Sequence, residues 1–136
     1  MKQFDYSKPT AQLLGRWQPW HPGHTALFRK AYNKVGQVCI MVRNVPAQGD
    51  AHPDLKGQDD NPWRAQQVIN NIKIELEKEG FTFAVEYIIL KVPNITDISY
   101  GRGVGYTFTE HDLGEDIHNI SATQIRSDLR KKGRLS

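Results

Sequence analysis

The continuous apolar run Val38–Val42 (VCIMV) constrains the fold of this chain of 136 residues more than any other feature. An apolar run rich in β-branched residues is typical of a strand that is buried on both faces, as in a parallel sheet. Segments with helical spacing of apolar residues stand on both sides of the run. Because parallel neighbours are joined by such crossovers, the pattern predicts an α/β fold, a Rossmann-like three-layer α/β/α sandwich with a mostly parallel sheet.

The remaining elements are predicted from apolar spacing and from the glycines and prolines that interrupt it. In chain order we expect a strand at Ala11–Leu14, a helix from His24 to Gly36, the Val38–Val42 strand, a helix from Asn61 and Pro62 to Gly80, a strand at Phe81–Val92, a short strand at Tyr106–Thr109 and a helix at Ser121–Lys132. The residues expected on the buried faces of the first two helices are Phe28, Tyr32, Val35, Val68, Ile69, Ile72 and Leu76. A long loop at Pro46–Asp60 separates the second strand from the second helix, and the length of the chain suits a single domain, 1–136.

Composition and charge exclude several classes of protein. No apolar run approaches the length of a membrane span, and the polar start MKQFDYSKPTAQ is unlike a secretory signal. The net charge of +3 is compatible with an anionic small-molecule partner and is too small by itself to indicate nucleic acid. Because its single cysteine, Cys39, excludes an intramolecular disulfide and stands in an apolar run, we expect a buried thiol in a cytoplasmic protein.

The stretch between the first strand and the first helix, GRWQPWHPGH (Gly15–His24), holds two of the five histidines. In parallel α/β sheets ligands bind at the carboxyl ends of the strands, which is where this loop begins. Pro22 favours His21 in the loop and His24 in the first helical turn, and Gly23 lets the backbone approach a ligand closely. Two imidazoles, the unpaired N–H groups of a helix N-terminus and its partial positive charge together predict a phosphate site.

Simpler interpretations of the same residues stay open. A histidine at a helix start is usually a cap or a surface residue, and the tryptophans of the loop could only fill space beneath it. Two histidines could also bind a metal ion. No carboxylate or third histidine stands at the spacing that would complete such a site, so no protein metal site is predicted.

Two stretches of the chain resemble signatures of one superfamily. HPGH (His21–His24) resembles the HxGH signature of the nucleotidyltransferase superfamily, which is related to class I aminoacyl-tRNA synthetases. The longer GRWQPWHPGH is similar to the GRFQPxHxGH opening of archaeal-type nicotinamide mononucleotide adenylyltransferases. ISATQIR (Ile120–Arg126) is similar to the ISxTxIR signature of the superfamily, although Ser121 and Gln124 also form a capping box that needs no ligand.

The resemblance implies a reaction and a set of site residues. An anionic group on a small acceptor attacks the α-phosphate of a nucleoside triphosphate, and pyrophosphate leaves. The implied catalytic residues are His21, His24 and Arg126. The implied nucleotide-binding residues are Gly15, Arg16, Trp17, Gly23, Ser121 and Thr123. Mg²⁺ is implied as the cofactor that accompanies the triphosphate, with few protein ligands of its own.

Further resemblances bear on which nucleotide is used. NPWRA (Asn61–Ala65) is similar to the NPFTAxER segment of the mononucleotide adenylyltransferases, with Gln67 and Val68 in place of its Glu-Arg, and YIILKVPNI (Tyr87–Ile95) is similar to their YIIPxxDI. YGRGVGY (Tyr100–Tyr106) resembles the GRDHAG loop of sulfate adenylyltransferases. In its short length the chain is similar to glycerol-3-phosphate cytidylyltransferases, which share both signatures. These resemblances favour transfer of AMP from ATP. Transfer of CMP from CTP and a non-catalytic nucleotide-binding module remain the alternatives.

The acceptor is expected against the loops that follow the second and third strands. The candidate acceptor contacts are Arg43, Arg64, Tyr100 and Arg102. Basic residues in such loops are also commonly only solvated, so their position alone supports this assignment. Nucleic acid is not predicted as a partner, although the basic tail RSDLRKKGR (Arg126–Arg134) could contact phosphates. A single copy and a homo-oligomer both stay open.

Overall fold

The computed structural model describes residues 3–44, 63–102, 105 and 107–111. The elements in these ranges are strand β1 (Ala11–Gly15), helix α1 (Pro22–Val35), strand β2 (Val38–Arg43), helix α2 (Ala65–Lys78) and strand β3 (Tyr87–Val92). The loop predicted at Pro46–Asp60 and the helix predicted at Ser121–Lys132 lie outside the described residues. The extent of the domain, 1–136, stays a prediction.

The three strands form one parallel sheet in the order β1-β2-β3. Ala11 pairs with Val38, and Val38 pairs in turn with Tyr87, so the strands start level with one another. Parallel neighbours need a crossover connection, and α1 and α2 provide the two that this sheet requires. The predicted α/β fold with a parallel sheet is confirmed.

Both described helices pack on one face of this sheet. Alternate residues of β2 share a buried cluster with side chains of both helices; the members are Val38, Ile40 and Val42 from the strand, Phe28 and Ala31 from α1, and Val68, Ile72 and Leu76 from α2. Right-handed crossovers that advance across a sheet in the same direction place their helices on the same side. In the part of the chain that the structure describes, helices cover one face, and the third layer of the predicted sandwich stays a prediction.

The core contains the residues that the helical spacing places inside. Phe28, Ile72 and Leu76 are completely buried, whereas the predicted Tyr32 and Ile69 are half-buried and pack against the core from its margin. The predicted Val35 is also half-buried. Cys39 is a free, buried thiol, as predicted, and burial raises its pKa.

Helix α1 ends where the glycine predicts. Gly36 has a φ of 106°, in the left-handed region that glycine adopts without strain, and its N–H donates to the Tyr32 carbonyl at 2.8 Å. The helix begins at Pro22, two residues before the expected start, because His21 is its N-cap. His21 is therefore in the loop and His24 in the first turn, as Pro22 predicts.

Helix α2 begins later than predicted. Asn61 and Pro62, the expected cap and first residue, lie outside the described residues, and the helix starts at Ala65. Gln18 binds the Trp63 peptide on both sides, accepting its N–H at 3.1 Å and donating to its carbonyl at 2.9 Å. The Arg64 N–H then donates to the Gln67 side chain at 2.8 Å, which caps the helix at this point.

The third strand is half as long as predicted. β3 starts at Tyr87, because the preceding residues form a turn in which the Glu86 carboxylate accepts the Thr82 N–H at 2.9 Å and Ala84 has a φ of 69°. At the described residues of the strand expected at Tyr106–Thr109, which are 107–109, the structure has no strand.

Candidate functional site

The loop from β1 to α1 lies at the carboxyl edge of the sheet. Gly15 is the last residue of β1 and pairs with Val42, close to the end of β2. His21 then caps α1 in an extended backbone conformation, with φ −138° and ψ 173°. Both histidines therefore lie at the edge where parallel α/β sheets bind their ligands.

The two imidazole rings are stacked on each other. Their centroids are 3.7 Å apart and their planes are inclined by 20°. His21 Nδ1 accepts the Gly23 N–H at 3.0 Å, and His24 Nδ1 accepts the His21 N–H at 3.2 Å. The result is a capping box in which both acceptors are ring nitrogens. Because an accepting Nδ1 carries no proton, each neutral ring carries its proton on Nε2.

This capping box uses the backbone N–H groups of the first helical turn. The Gly23 N–H is bound by His21, and the N–H groups of His24 and Thr25 both donate to the His21 carbonyl, at 2.9 and 3.2 Å. The unpaired N–H groups expected at this helix start are therefore absent from the first turn, and that expectation is wrong. The expectation is wrong because histidines stand at the cap and at the third helical position, where their ring nitrogens accept backbone N–H groups. The pair presents two Nε2–H groups instead.

Burial shifts both rings toward their uncharged forms. Burial, followed by the charge of the neighbouring His21, lowers the pKa of His24 to about 3. Burial also lowers the pKa of His21, against a smaller opposing effect of its own backbone. The site therefore offers hydrogen-bond donors rather than fixed positive charges.

Two tryptophans of the loop enclose His24. The Trp17 ring meets His24 nearly at a right angle (86°) with centroids 4.8 Å apart, and the Trp20 ring lies 5.4 Å away. The Trp17 Nε1–H donates to the Met41 carbonyl at 3.0 Å, and the Trp20 Nε1–H donates to the Thr25 hydroxyl at 2.8 Å. With 6% and 4% of their surfaces exposed, both indoles belong to the core, and they hold the His24 ring in place.

Gly15 makes room for Trp17. A Cβ atom at Gly15 would lie 2.9 Å from Cε2 and Cζ2 of the Trp17 indole, a distance that requires something to move. Trp17 itself has a φ of 54°, which brings its ring back over the end of β1. Gly15 and the Trp17 side chain therefore shape the loop, and their predicted contact with a nucleotide stays a prediction.

Gln18 was missed in the sequence, and it ties the loop to the start of α2. It is buried (4% exposed) and forms hydrogen bonds with both the N–H and the carbonyl of Trp63, 45 residues away. Arg64, a predicted acceptor contact, follows Trp63 directly and is held next to the loop. The sequence signal for this role was the position of Gln18, a polar residue between two tryptophans. A side-chain amide that is buried there needs hydrogen-bond partners elsewhere in the chain.

The structure brings only part of the predicted site together. Gly15, Arg16, Trp17, His21, Gly23 and His24 form one loop and helix start, and Arg43 ends the neighbouring strand. Tyr100 is 61% exposed and packs against Phe108, with centroids 5.2 Å apart. Within the described residues, no hydrogen bond, ion pair or ring contact joins Tyr100 or the exposed Arg102 to the histidines.

Other parts of the prediction concern residues or ligands beyond this loop. Ser121, Thr123 and Arg126 lie outside the described residues. Across the described ranges, no three His, Cys, Asp or Glu side chains are grouped so that they could hold a metal ion. In those same ranges, every helix is too short or too polar to cross a membrane.

Comparison with known proteins gives a distant match. No family model matches the chain. A curated nicotinamide-nucleotide adenylyltransferase of Methanococcus aeolicus is 29% identical to it over 75 residues, which are 55% of this chain and 39% of that protein. The chain therefore spans less than half the length of that relative. This similarity supports a nucleotidyltransferase-like relationship for the chain.

Proposed function

We propose that the chain is a nucleotidyltransferase that moves a nucleoside monophosphate, with AMP from ATP favoured, onto an anionic small-molecule acceptor. An oxygen of the acceptor forms a bond to the α-phosphorus, the bond between the α-phosphorus and its bridging oxygen to the β-phosphate breaks, and pyrophosphate leaves with that electron pair. The observation that carries the proposal is the stacked pair of His21 and His24 at the carboxyl edge of the sheet. The similarity to a protein named as an adenylyltransferase supports the same reaction.

The histidine pair suits the oxygens of a phosphate chain. Two Nε2–H donors on rings 3.7 Å apart can reach two oxygens of one phosphate or of neighbouring phosphates. The backbone holds Nδ1 of each ring, and Trp17 and Trp20 enclose His24, so the donors are already in position. Donors that need no rearrangement as charge develops lower the barrier to the reaction.

The lowered pKa values give nucleotide binding a proton dependence. When phosphate oxygens accept hydrogen bonds from Nε2 of His21 and His24, their negative charge raises the pKa of both rings. Binding therefore favours proton uptake by the pair. A ring that is protonated in the complex offsets the charge that the leaving pyrophosphate gains.

Residues beyond the pair complete the proposal. Arg16 would contact the triphosphate, and the helix predicted at Ser121–Lys132 would bring Ser121, Thr123 and Arg126 to the leaving pyrophosphate. Mg²⁺ that accompanies the triphosphate would neutralise part of the phosphate charge.

The variant His24→Asn tests the role of the pair. The Asn side-chain oxygen takes the place of Nδ1 and can still accept the His21 N–H, whereas the Nε2–H donor is lost. We expect the melting temperature without ligand to stay close to that of the unmodified protein. We expect the stabilisation by ATP and Mg²⁺ to fall sharply and AMP transfer to fall by roughly 10²-fold or more.

The choice of nucleotide is tested by thermal stabilisation of the unmodified protein with ATP, CTP, GTP and UTP, each with Mg²⁺. A shift with ATP alone supports AMP transfer, and a shift with CTP alone would replace it by CMP transfer. Stabilisation by none of the four, at concentrations well above millimolar, would contradict the proposed function.

Pyrophosphate release then separates an enzyme from a nucleotide-binding module. The protein is incubated with the stabilising nucleotide, Mg²⁺ and phosphorylated acceptors, and released pyrophosphate is measured with His24→Asn as the control. Acceptor-dependent release that the variant lacks supports the transferase. Binding without release from any acceptor would identify the module instead.

A further inference from the structure

A cavity of about 710 Å³ lies at the amino edge of the sheet, opposite the edge that carries the histidine pair. It is bounded by the chain before β1, by the end of α1 and by Gln37 and Glu86, which directly precede β2 and β3. Its volume is typical of a small-molecule site. The proposed transfer reaction makes no use of this cavity.

Hydrogen bonds of the protein itself hold the walls of the cavity in place. Gln37 is buried (7% exposed), and its Nε2 donates to the Asp5 carbonyl at 2.6 Å and to the Thr10 hydroxyl at 2.7 Å. On the other side, the Phe4 N–H donates to the Ala84 carbonyl at 2.9 Å, which ties the first residues to the turn before β3. A ligand that enters a site with fixed walls orders fewer protein groups when it binds.

Three charged side chains line the cavity, and none of them forms a salt bridge in the part of the chain that the structure describes: Asp5, Lys8 and Glu86. Oδ1 of Asp5 accepts hydrogen bonds from the N–H and the hydroxyl of Ser7, at 2.9 and 2.6 Å. Oε2 of Glu86 accepts the Thr82 N–H at 2.9 Å. The second oxygen of each carboxylate and the Lys8 ammonium have no hydrogen-bond partner among the described residues.

The ionised form of Asp5 is favoured within the protein. Hydrogen bonds from Ser7, together with the nearby charge of Lys8, lower the pKa of this carboxyl. The cavity therefore offers two carboxylates and one ammonium group to a ligand.

The rest of the lining narrows the class of ligand. Val35 and Gly36 lie at the end of α1, where the helix dipole adds partial negative charge. The apolar side chains of Pro9, Val35 and Val85 also contribute to the lining. A ligand with two cationic groups, one carboxylate and an aliphatic chain matches this lining in charge and in polarity. Ion pairs near the surface contribute little individually, so useful affinity requires several of them at once.

We infer that the cavity binds a free amino acid with a cationic side chain, with its two cationic groups at Asp5 and Glu86 and its carboxylate at Lys8. A molecule that lacks one of these charges leaves part of the lining unpaired, which is the basis of the expected selectivity. The inference does not depend on the proposed function, because the cavity and the histidine pair lie at opposite edges of the sheet and share no residue.

Calorimetric titration of the unmodified protein without nucleotide tests the class of ligand. L-Lysine is the probe, and its matched analogues are norleucine, which lacks the side-chain ammonium, cadaverine, which lacks the carboxylate, and hexanoate, which lacks both ammonium groups. We expect lysine to bind about five times more tightly than each analogue, or better. Lysine that binds no more tightly than norleucine or cadaverine, or that fails to bind at concentrations well above millimolar, would overturn the inference.

The variants Glu86→Gln and Lys8→Gln test the contacts. The oxygen of the introduced amide can still accept the Thr82 N–H, so Glu86→Gln removes the charge and keeps the turn. We expect it to weaken lysine about fivefold and to leave the melting temperature of the free protein unchanged. Lys8→Gln should weaken lysine to a similar degree and leave cadaverine unaffected, because cadaverine has no carboxylate to pair.

Glu79→Gln is the matched control, since it removes a carboxylate outside the cavity. Glu79 pairs with Arg29 at 2.6 Å, and its loss should leave lysine binding unchanged. Unchanged lysine affinity in either cavity variant, or an equal loss of affinity in Glu79→Gln, would overturn the inference.

Backbone amide shifts in the unmodified protein locate the ligand independently of any variant. Lysine should shift the amides of Gly36, Gln37 and Val85, and shifts confined to other parts of the chain would contradict the assignment. No nucleotide is present in these experiments, so their outcome is separate from that of the proposed function. A protein that ATP fails to stabilise can still bind lysine at the amino edge, and a protein that binds ATP can fail to bind lysine.

Discussion

His24 uses its two ring nitrogens for different purposes. Nδ1 accepts the His21 N–H and so builds the helix start, while Nε2 is left for a ligand. The interpretation as a cap and the interpretation as a phosphate contact, which the sequence leaves as alternatives, are therefore compatible in one side chain. In this arrangement the imidazole of His24 is largely buried, and burial lowers its pKa.

The lowered pKa of His24 predicts a pH-dependent free energy of unfolding. The pKa is about 3 in the folded protein and 6.5 ordinarily, so between these values the unfolded chain binds a proton that the folded chain does not. Stability therefore falls as the pH falls from 6.5 toward 3. We expect urea denaturation to show a loss of up to about 2 kcal/mol between pH 7 and pH 5 from this ring.

His24→Asn is the control for this prediction, because Asn does not titrate. The free energy of unfolding of the variant should depend less on pH over the same interval. Equal losses in both proteins would show that His24 is not held in its neutral form by the fold.

Some ends of helices and strands can be predicted from the neighbouring sequence, and others cannot. The stop of α1 at Gly36 and the apolar strand at Val38–Val42 follow from neighbouring residues alone, and both are found. The start of α2 depends on Gln18, which is 45 residues from Trp63 in sequence, so no local pattern indicates it. The N–H groups of the first turn of α1 were misjudged because histidine is an uncommon cap.

Gly15→Ala should destabilise the end of β1. The new Cβ would press on the Trp17 ring at 2.9 Å, and this ring cannot yield easily, because its Nε1–H is bound to the Met41 carbonyl. We expect a loss of about 1–3 kcal/mol in the free energy of unfolding, measured by urea denaturation. Gly101→Ala is the matched control, since a Cβ there meets nothing within 4 Å. Equal effects of the two substitutions would refute the packing argument.

At the scale of the molecule, the sheet collects distant residues at its carboxyl edge. The histidine loop follows β1, Arg43 ends β2, and the segment 95–98 follows β3. The parallel order of the strands predicts this meeting from the sequence, because each strand ends at the same edge. The buried link from Gln18 to Trp63 depends on tertiary packing instead and could not be predicted.

Gln18→Met should loosen this link while keeping a side chain of similar size. The Trp63 N–H and carbonyl would lose their partners, which costs about 1–3 kcal/mol when such groups are buried. Urea denaturation should show that loss, and thermal stabilisation by the preferred nucleotide should fall with it. Gln66→Met, at an exposed position of α2, should change the free energy of unfolding by less than about 0.5 kcal/mol. A Gln18 variant as stable as the Gln66 variant would show that the link contributes little.

The chain has three tryptophans, and each of them has a contact with the loop between β1 and α1 or belongs to it. Trp17 and Trp20 lie against His24, and the peptide of Trp63 is hydrogen-bonded to Gln18 of the same loop. Indole fluorescence responds to nearby charge and to solvent, and two of the three indoles, those of Trp17 and Trp20, lie against His24. A change in the protonation of the histidine pair, or the binding of a ligand to it, should therefore change the intrinsic tryptophan fluorescence of the unlabelled protein.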